Sequence, residues 1–145
     1  MFTSLRFTHV RPRPLTSSEA HRLAWILRIA TAAAFIGHGG YGAILAKADW
    51  VAYFGTLGIP ATIVQTASLS LLVGCFEIVL GLAVLYKPVR ALLLGMLIWK
   101  VVTEFLRPMA GEPAWEFIER ASNMIAPLAL IYVRGWPKTL REWLS

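Results

Sequence analysis

The chain has 145 residues, of which 57% are hydrophobic and 15% are charged, and its mean hydropathy is +0.62. A water-soluble domain usually has about 25% charged and about 45–50% apolar residues, so this chain is too apolar to keep water on its whole surface. A net charge of +6 on so apolar a chain does not indicate a nucleic-acid partner, and the single cysteine, Cys75, excludes a disulfide-stapled secreted domain. The composition indicates one small membrane domain.

The chain begins with a basic arm over residues 1–22. The arm lacks the apolar stretch that a secretory signal carries, so we expect it to stay in the cytoplasm. Near its end, Thr16 and Glu19 have the spacing of a capping box. This pattern predicts that the first helix begins just before the first apolar stretch.

Four apolar stretches follow, at residues 23–45, 61–86, 91–106 and 113–133. A membrane-spanning helix needs about 20 mostly apolar residues, and the third stretch is shorter than that and carries charge. We predict an all-α fold, a polytopic bundle of four transmembrane helices over residues 23–133. Short interfacial helices are expected after Asp49 and in an amphipathic cytoplasmic tail over residues 134–145.

Basic residues are divided unequally between the two ends of these spans. Four precede the first span, two lie in the turn after the second and three follow the fourth, whereas the opposite loops hold only Lys47 and Arg107. Because basic loops stay on the cytoplasmic side, this asymmetry places both termini in the cytoplasm.

Ionisable side chains also recur at helical spacing inside the spans. Each costs about 2.5–3.5 kcal/mol at mid-bilayer, so they should face the interior of the bundle and pair there. Glu77 and Lys100 each lie ten residues from the cytoplasmic end of their helix, so they should meet at one height, and Arg107 should pair with Glu116. The buried ion-pair candidates are Arg28, Glu77, Lys100, Arg107 and Glu116.

A second polar group lies nearer the outer face of the predicted bundle. His38, Glu104 and Glu119 lie 14 or 15 residues from the cytoplasmic ends of their spans, and glycines around His38 leave space for a ligand. An imidazole can donate to a ligand carbonyl, and a carboxylate can pass on a proton. The ligand-binding candidates are His38, Glu104, Glu119, Arg120 and Asn123, and we expect no metal. A closed salt-bridge network that excludes any ligand explains the same residues equally well.

Several segments carry a family resemblance. They are Leu27-Arg28-Ile29, Phe35-Ile36-Gly37-His38-Gly39, the stretch from Trp50 to Pro60 and the stretch from Glu77 to Ala83. In order and spacing they resemble the DoxX-like superfamily, and residues 107–123 resemble an uncharacterised branch of it. The resemblance covers about residues 22–133. It implies a four-helix membrane bundle that binds a quinone-like molecule or docks in a membrane redox complex.

The expected function is that of a small, multi-pass subunit of a bacterial-type inner membrane, which binds a quinone or another small ligand beside a redox complex. It would contact the lipid bilayer and either redox subunits or further copies of itself. The alternative is a non-catalytic structural or assembly subunit. A transporter is disfavoured, because four helices without an internal repeat are few for alternating access. Quinone is the one cofactor that the sequence suggests, and no catalytic residue can be assigned.

Overall fold

The computed structural model describes residues 13–45, 49–64 and 68–145, and the described chain is helical, without strands. The predicted all-α fold is therefore confirmed for this part, whereas most of the predicted arm at 1–22 and the loop lysine Lys47 lie outside it. The helices are α1 (Ser17–Gly39), which continues as a π-helical turn (Gly40–Ile44), α2 (Trp50–Gly55), α3 (Ala61–Val64), α4 (Ser68–Tyr86), α5 (Arg90–Met109), α6 (Ala114–Glu119), α7 (Ala121–Val133) and α8 (Leu140–Trp143).

Helix α1 begins where the sequence predicts. The Thr16 hydroxyl accepts a hydrogen bond from the Glu19 backbone N–H at 3.3 Å, and the Glu19 carboxylate accepts one from the Thr16 N–H at 2.9 Å. Each side chain therefore satisfies a backbone donor that the first helical turn leaves free, as in a capping box. Asp49 caps α2 in a similar way, by accepting from the Ala52 N–H at 3.0 Å.

The closest helix packing joins α1 and α4, and glycines permit it. A Cβ atom on Gly39 would lie 2.5 Å from the carbonyl oxygen of Gly74. One on Gly81 would lie 2.7 Å from the Ile36 side chain and 3.0 Å from the Ala32 carbonyl oxygen. Small residues at such positions let two helix backbones approach each other, which is how helices associate in membranes.

The remaining long helices complete a bundle. Helix α7 packs against both α1 and α5, whereas α4 and α5 make few contacts with each other. A core of apolar side chains fills the half of the bundle nearest the α4–α5 turn, among them Phe35, Val84, Leu93 and Ile131. At the other half, the short helix α2 packs Trp50 and Tyr53 against Val73 and Leu106. The polar site lies between these two apolar clusters.

Among the described residues, two helical stretches, Ser17–Gly42 and Leu69–Tyr86, are long and apolar enough to cross a membrane. The span predicted at 113–133 is not one helix, since α6 ends at Glu119 and α7 begins at Ala121. Thirteen residues of α7 rise only about 20 Å, which is less than the hydrocarbon thickness of about 30 Å. On α4, Leu72, Phe76 and Val79 are large apolar side chains that remain exposed, as expected of a lipid-facing surface.

Candidate functional site

The site is a group of buried polar side chains on α1, α4 and α5. Glu77 on α4 is 2% exposed, and Lys100 and Glu104 on α5 are each 1% exposed. Burying a charged group is costly unless it is paired and hydrogen-bonded, so the partners of each one determine what the site can do.

Glu77 and Lys100 form the ion pair that the sequence predicts. Lys100 Nζ donates to Glu77 Oε1 at 2.7 Å, and the indole Nε1–H of Trp99 donates to the same oxygen at 2.9 Å. Lys100 Nζ also lies 5.0 Å from the centre of the Phe35 ring. The Glu77 carboxylate is thus held by a charged donor and a neutral one, which suits a fixed anchor between α4 and α5.

Glu104 has a different environment. Its Oε2 lies 2.9 Å from Arg107 Nε, but the N–H is not aligned for a hydrogen bond, and this buried oxygen has no hydrogen-bond partner among the described residues. Its Oε1 lies 3.8 Å from His38 Nδ1 and 4.0 Å from Lys100 Nζ, beyond hydrogen-bonding distance. Basic side chains therefore surround the Glu104 carboxylate. They attract it electrostatically, but none of them is an aligned hydrogen-bond donor.

His38 connects α1 to α7. Its Nε2 is 2.9 Å from the side-chain nitrogen of Asn123, so the amide donates and Nε2 accepts. In that arrangement the neutral imidazole carries its proton on Nδ1, the nitrogen that faces Glu104. Of the predicted outer group, the structure thus brings His38, Glu104 and Asn123 together.

Arg107 contacts both Glu104 and a second acidic residue, which lies outside the helices. Its NH1 lies 3.0 Å from both the Tyr53 hydroxyl and Glu112, and the Tyr53 hydroxyl donates to Glu112. Burial, together with that donated hydrogen bond, raises the pKa of Tyr53 to about 12. The predicted Arg107–Glu116 pair is wrong, because Gly111, with φ at +96°, turns the chain after α5 and brings Glu112 back to Arg107.

Three other predicted residues lie outside the site. Glu119 is exposed at the end of α6, and Arg120 pairs with Glu116 at 2.7 Å, one helical turn away. Arg28 is not in an ion pair in the described structure; it donates to the carbonyls of Val84, Leu85 and Tyr86 at the end of α4. The break between α6 and α7 explains why Glu119 lies outside the site, because a straight helix would have turned this side chain towards the interior of the bundle.

A small cavity opens beside Glu104. It is lined by His38, Tyr41, Trp50, Lys100, Glu104 and Arg107, among others, and its volume is about 20 Å³. A single water needs about 10–15 Å³, so the cavity holds one water-sized group. The π-helical turn after Gly39 places exposed Tyr41 at this cavity; such turns are frequent at functional sites.

The cavity also has a donor without an acceptor. The indole N–H of Trp50 is buried and has no hydrogen-bond partner in the described part of the chain. Sequence reasoning missed Trp50, Tyr53 and Glu112, because they lie between the spans. Trp50 and Tyr53 are spaced to lie on one face of α2. This spacing could have identified them, because a helix face that packs against the bundle buries both rings. Trp50 and Glu104, each with a buried polar atom that has no hydrogen-bond partner among the described residues, thus line one cavity.

The five charged residues of this network are Glu77, Lys100, Glu104, Arg107 and Glu112. Three carboxylates face two cations, so the network is neutral only when it holds one additional proton. Glu104 or a bound group can hold that proton. Comparisons with protein families, with curated proteins and with solved structures find no match to this chain.

Proposed function

We propose that the protein is a small, multi-pass membrane subunit that binds the carbonyl or hydroxyl end of a quinone-like ligand between His38, Glu104 and Trp50. The observation that carries the proposal is that Glu104 and Trp50 both line one cavity and each has a buried polar atom, Oε2 or Nε1, with no hydrogen-bond partner among the described residues. An unpaired buried polar group costs about 1–3 kcal/mol, so a ligand that supplies the missing partners is stabilised by the same amount.

The size of the cavity limits how a quinone fits. About 20 Å³ admits one oxygen of the ring and not the ring itself, which must remain at the mouth of the cavity beside Tyr41. There the exposed phenol ring of Tyr41 offers a flat apolar surface. A bound quinone would supply two-electron redox chemistry, for which a partner redox subunit would be the source of electrons.

The chain's own residues would then orient the ligand and hold a proton. The Nδ1–H of His38 and the Nε1–H of Trp50 can donate to a carbonyl oxygen, and Glu104 can accept from a hydroxyl. Asn123 fixes the tautomer of His38. The additional proton that neutralises the network gives Glu104 a means to exchange a proton with the ligand.

The resemblance to the DoxX-like superfamily supports this function and the four-span topology that goes with it. In that topology α5 is the third span and α6 with α7 the fourth, and both termini face the cytoplasm of a bacterial-type inner membrane. The two long apolar stretches of α1 and α4 would supply the first two spans.

The second candidate is a structural or assembly subunit. The observation that favours it is the tight Glu77–Lys100–Trp99 contact, which stabilises the fold without any ligand. In this case the Glu104 cavity would hold only solvent. The two candidates predict different results for ligand binding.

Binding of a short-chain quinol to the detergent-purified protein, followed by titration calorimetry, tests the proposal. Glu104→Gln and His38→Ala should weaken binding about tenfold while the protein stays monodisperse and helical, because the first replaces a charge-assisted hydrogen bond by a weaker neutral one and the second removes a donor. Glu119→Gln is the matched control, since this exposed carboxylate lies outside the cavity, and it should bind like the wild type. If the wild type binds no quinol, the ligand-binding function is wrong and the structural candidate is left. If Glu104→Gln binds like Glu119→Gln, the site is wrong.

A further inference from the structure

A second pocket lies at the opposite end of the bundle, where α1, α7 and the α4–α5 turn meet. It has a volume of about 90 Å³ and is lined by His21, Trp25, Arg28, Pro88, Leu130 and Arg134. Since one water needs about 10–15 Å³, the pocket has room for a group several times larger than a water. This is the end that the basic loops predict to face the cytoplasm.

The pocket gathers positive charge without acidic side chains. No carboxylate lines it, and neither Arg28 nor Arg134 forms a salt bridge within the described ranges. A third guanidinium adjoins it, because Arg90 donates to the backbone carbonyl of Arg134 at 2.5 Å. Burial lowers the pKa of Arg134, and the charges of Arg90 and Arg28 lower it further. Three guanidinium groups therefore gather at this end of the bundle.

Arg28 and Arg134, the two arginines of the pocket, have different contacts. Arg28 is fixed by Trp25, whose ring centre lies 4.3 Å from its Cζ, and by its bonds to carbonyls at the end of α4. Arg134 has a buried Nε that donates to no acceptor in the described part of the protein. Leaving a charged donor buried and unpaired is costly, so the Arg134 guanidinium is the group that a ligand would satisfy.

The pocket is also continuous with an apolar surface. Trp25 is 42% exposed, and Ile26 and Ile29 on the same helix are 63% and 56% exposed. A ligand here would meet arginines at one end and an apolar helix face at the other. This combination fits a membrane lipid better than a free anion, because cytoplasmic basic pockets between membrane helices bind anionic headgroups.

We propose that this pocket binds the phosphate of an anionic lipid headgroup, with Arg134 as the main contact and Arg28 as a second charge. Guanidinium and phosphate form charge-assisted, often bidentate hydrogen bonds. The site is independent of the Glu104 cavity and requires only that the protein sits in a membrane.

Native mass spectrometry of the protein released from mixed phosphatidylcholine and phosphatidylglycerol bilayers tests this proposal. The wild type should retain phosphatidylglycerol in preference to phosphatidylcholine, and Arg134→Gln should reduce that retention about tenfold. Arg141→Gln is the matched control, because it removes the same charge from an exposed position on α8 outside the pocket. It should retain lipid like the wild type.

Three outcomes would overturn the proposal. One is equal retention of both lipids by the wild type, which can be measured even if Arg134→Gln does not fold. Another is an equal loss in Arg134→Gln and Arg141→Gln, which would indicate general surface attraction. The third is inorganic phosphate displacing the retained lipid and raising the melting temperature in phosphatidylcholine alone, which would make the site one for a free anion.

Discussion

Glu77 and Glu104 are two buried carboxylates with opposite surroundings. Glu77 accepts from Lys100 and Trp99, whereas Glu104 lies among basic side chains without an aligned donor. A carboxylate held by two donors serves as a structural anchor, and one without an aligned donor can take a new partner. This difference separates the structural part of the network from the part proposed to bind a ligand.

The Glu77–Lys100 ion pair predicts how substitutions change the stability of the protein. Removing one partner of a buried pair leaves a buried charge, at a cost of about 3–5 kcal/mol, whereas removing both costs less. Lys100→Met and Glu77→Gln should each lower the melting temperature in detergent more than the double variant does. Gln at position 77 keeps an oxygen for Trp99. Losses that simply add in the double variant would contradict direct pairing.

Tyr53 predicts how stability depends on pH. Its pKa is about 12 in the folded protein against 10.0 for the free side chain, so the folded state keeps a proton that the unfolded state loses above about pH 10. The stabilisation is therefore complete below about pH 10 and decreases as the pH rises towards 12. The melting temperature of the wild type should fall more steeply than that of Tyr53→Phe between about pH 10 and pH 12. Equal slopes would show that Tyr53 does not titrate as assigned.

At the scale of elements, the contact of α1 with α4 depends on glycine. Gly39→Ala would place its methyl group against the backbone oxygen of Gly74, which cannot move as a side chain can. A methyl group on Gly37, in the same helical turn, would have no neighbour within 4 Å among the described residues. Gly39→Ala is therefore the test variant, and Gly37→Ala is its control.

We expect Gly39→Ala to destabilise the protein by about 1–3 kcal/mol through overpacking. Gly37→Ala should leave stability unchanged or raise it by up to about 1 kcal/mol, because alanine favours the helix. Melting temperatures in one detergent compare the two. Equal effects would mean that α1 and α4 do not approach as closely as described.

The sequence predicts some of these elements because their geometry is local. Helical spacing and the α4–α5 turn place Glu77 and Lys100 at one height, and the Thr16–Glu19 pattern gives the start of α1. The Glu112 position depends on a turn at Gly111, and that of Tyr53 on the docking of α2 against the bundle. Neither position follows from helical periodicity, so the contacts of Tyr53 and Glu112 in the site could not be predicted from the sequence.

At the scale of the whole molecule, the proposed topology rests on charge. Basic residues cluster around both termini and the α4–α5 turn, so reporter fusions at residue 145 should be active in the cytoplasm. A reporter inserted within residues 46–60 should be active outside it. A C-terminal reporter active only outside the cytoplasm would contradict the four-span arrangement and move the arginine pocket to the other side.

In the proposed complex, the Glu104 carboxylate accepts a hydrogen bond from a ligand hydroxyl inside the bundle. Infrared difference spectroscopy on adding a short-chain quinol to the protein in lipid nanodiscs measures this contact. We expect a saturable change in a carboxyl or carboxylate band, which is absent in Glu104→Gln and retained in Glu119→Gln. A difference spectrum that is the same in the wild type and Glu104→Gln would contradict it.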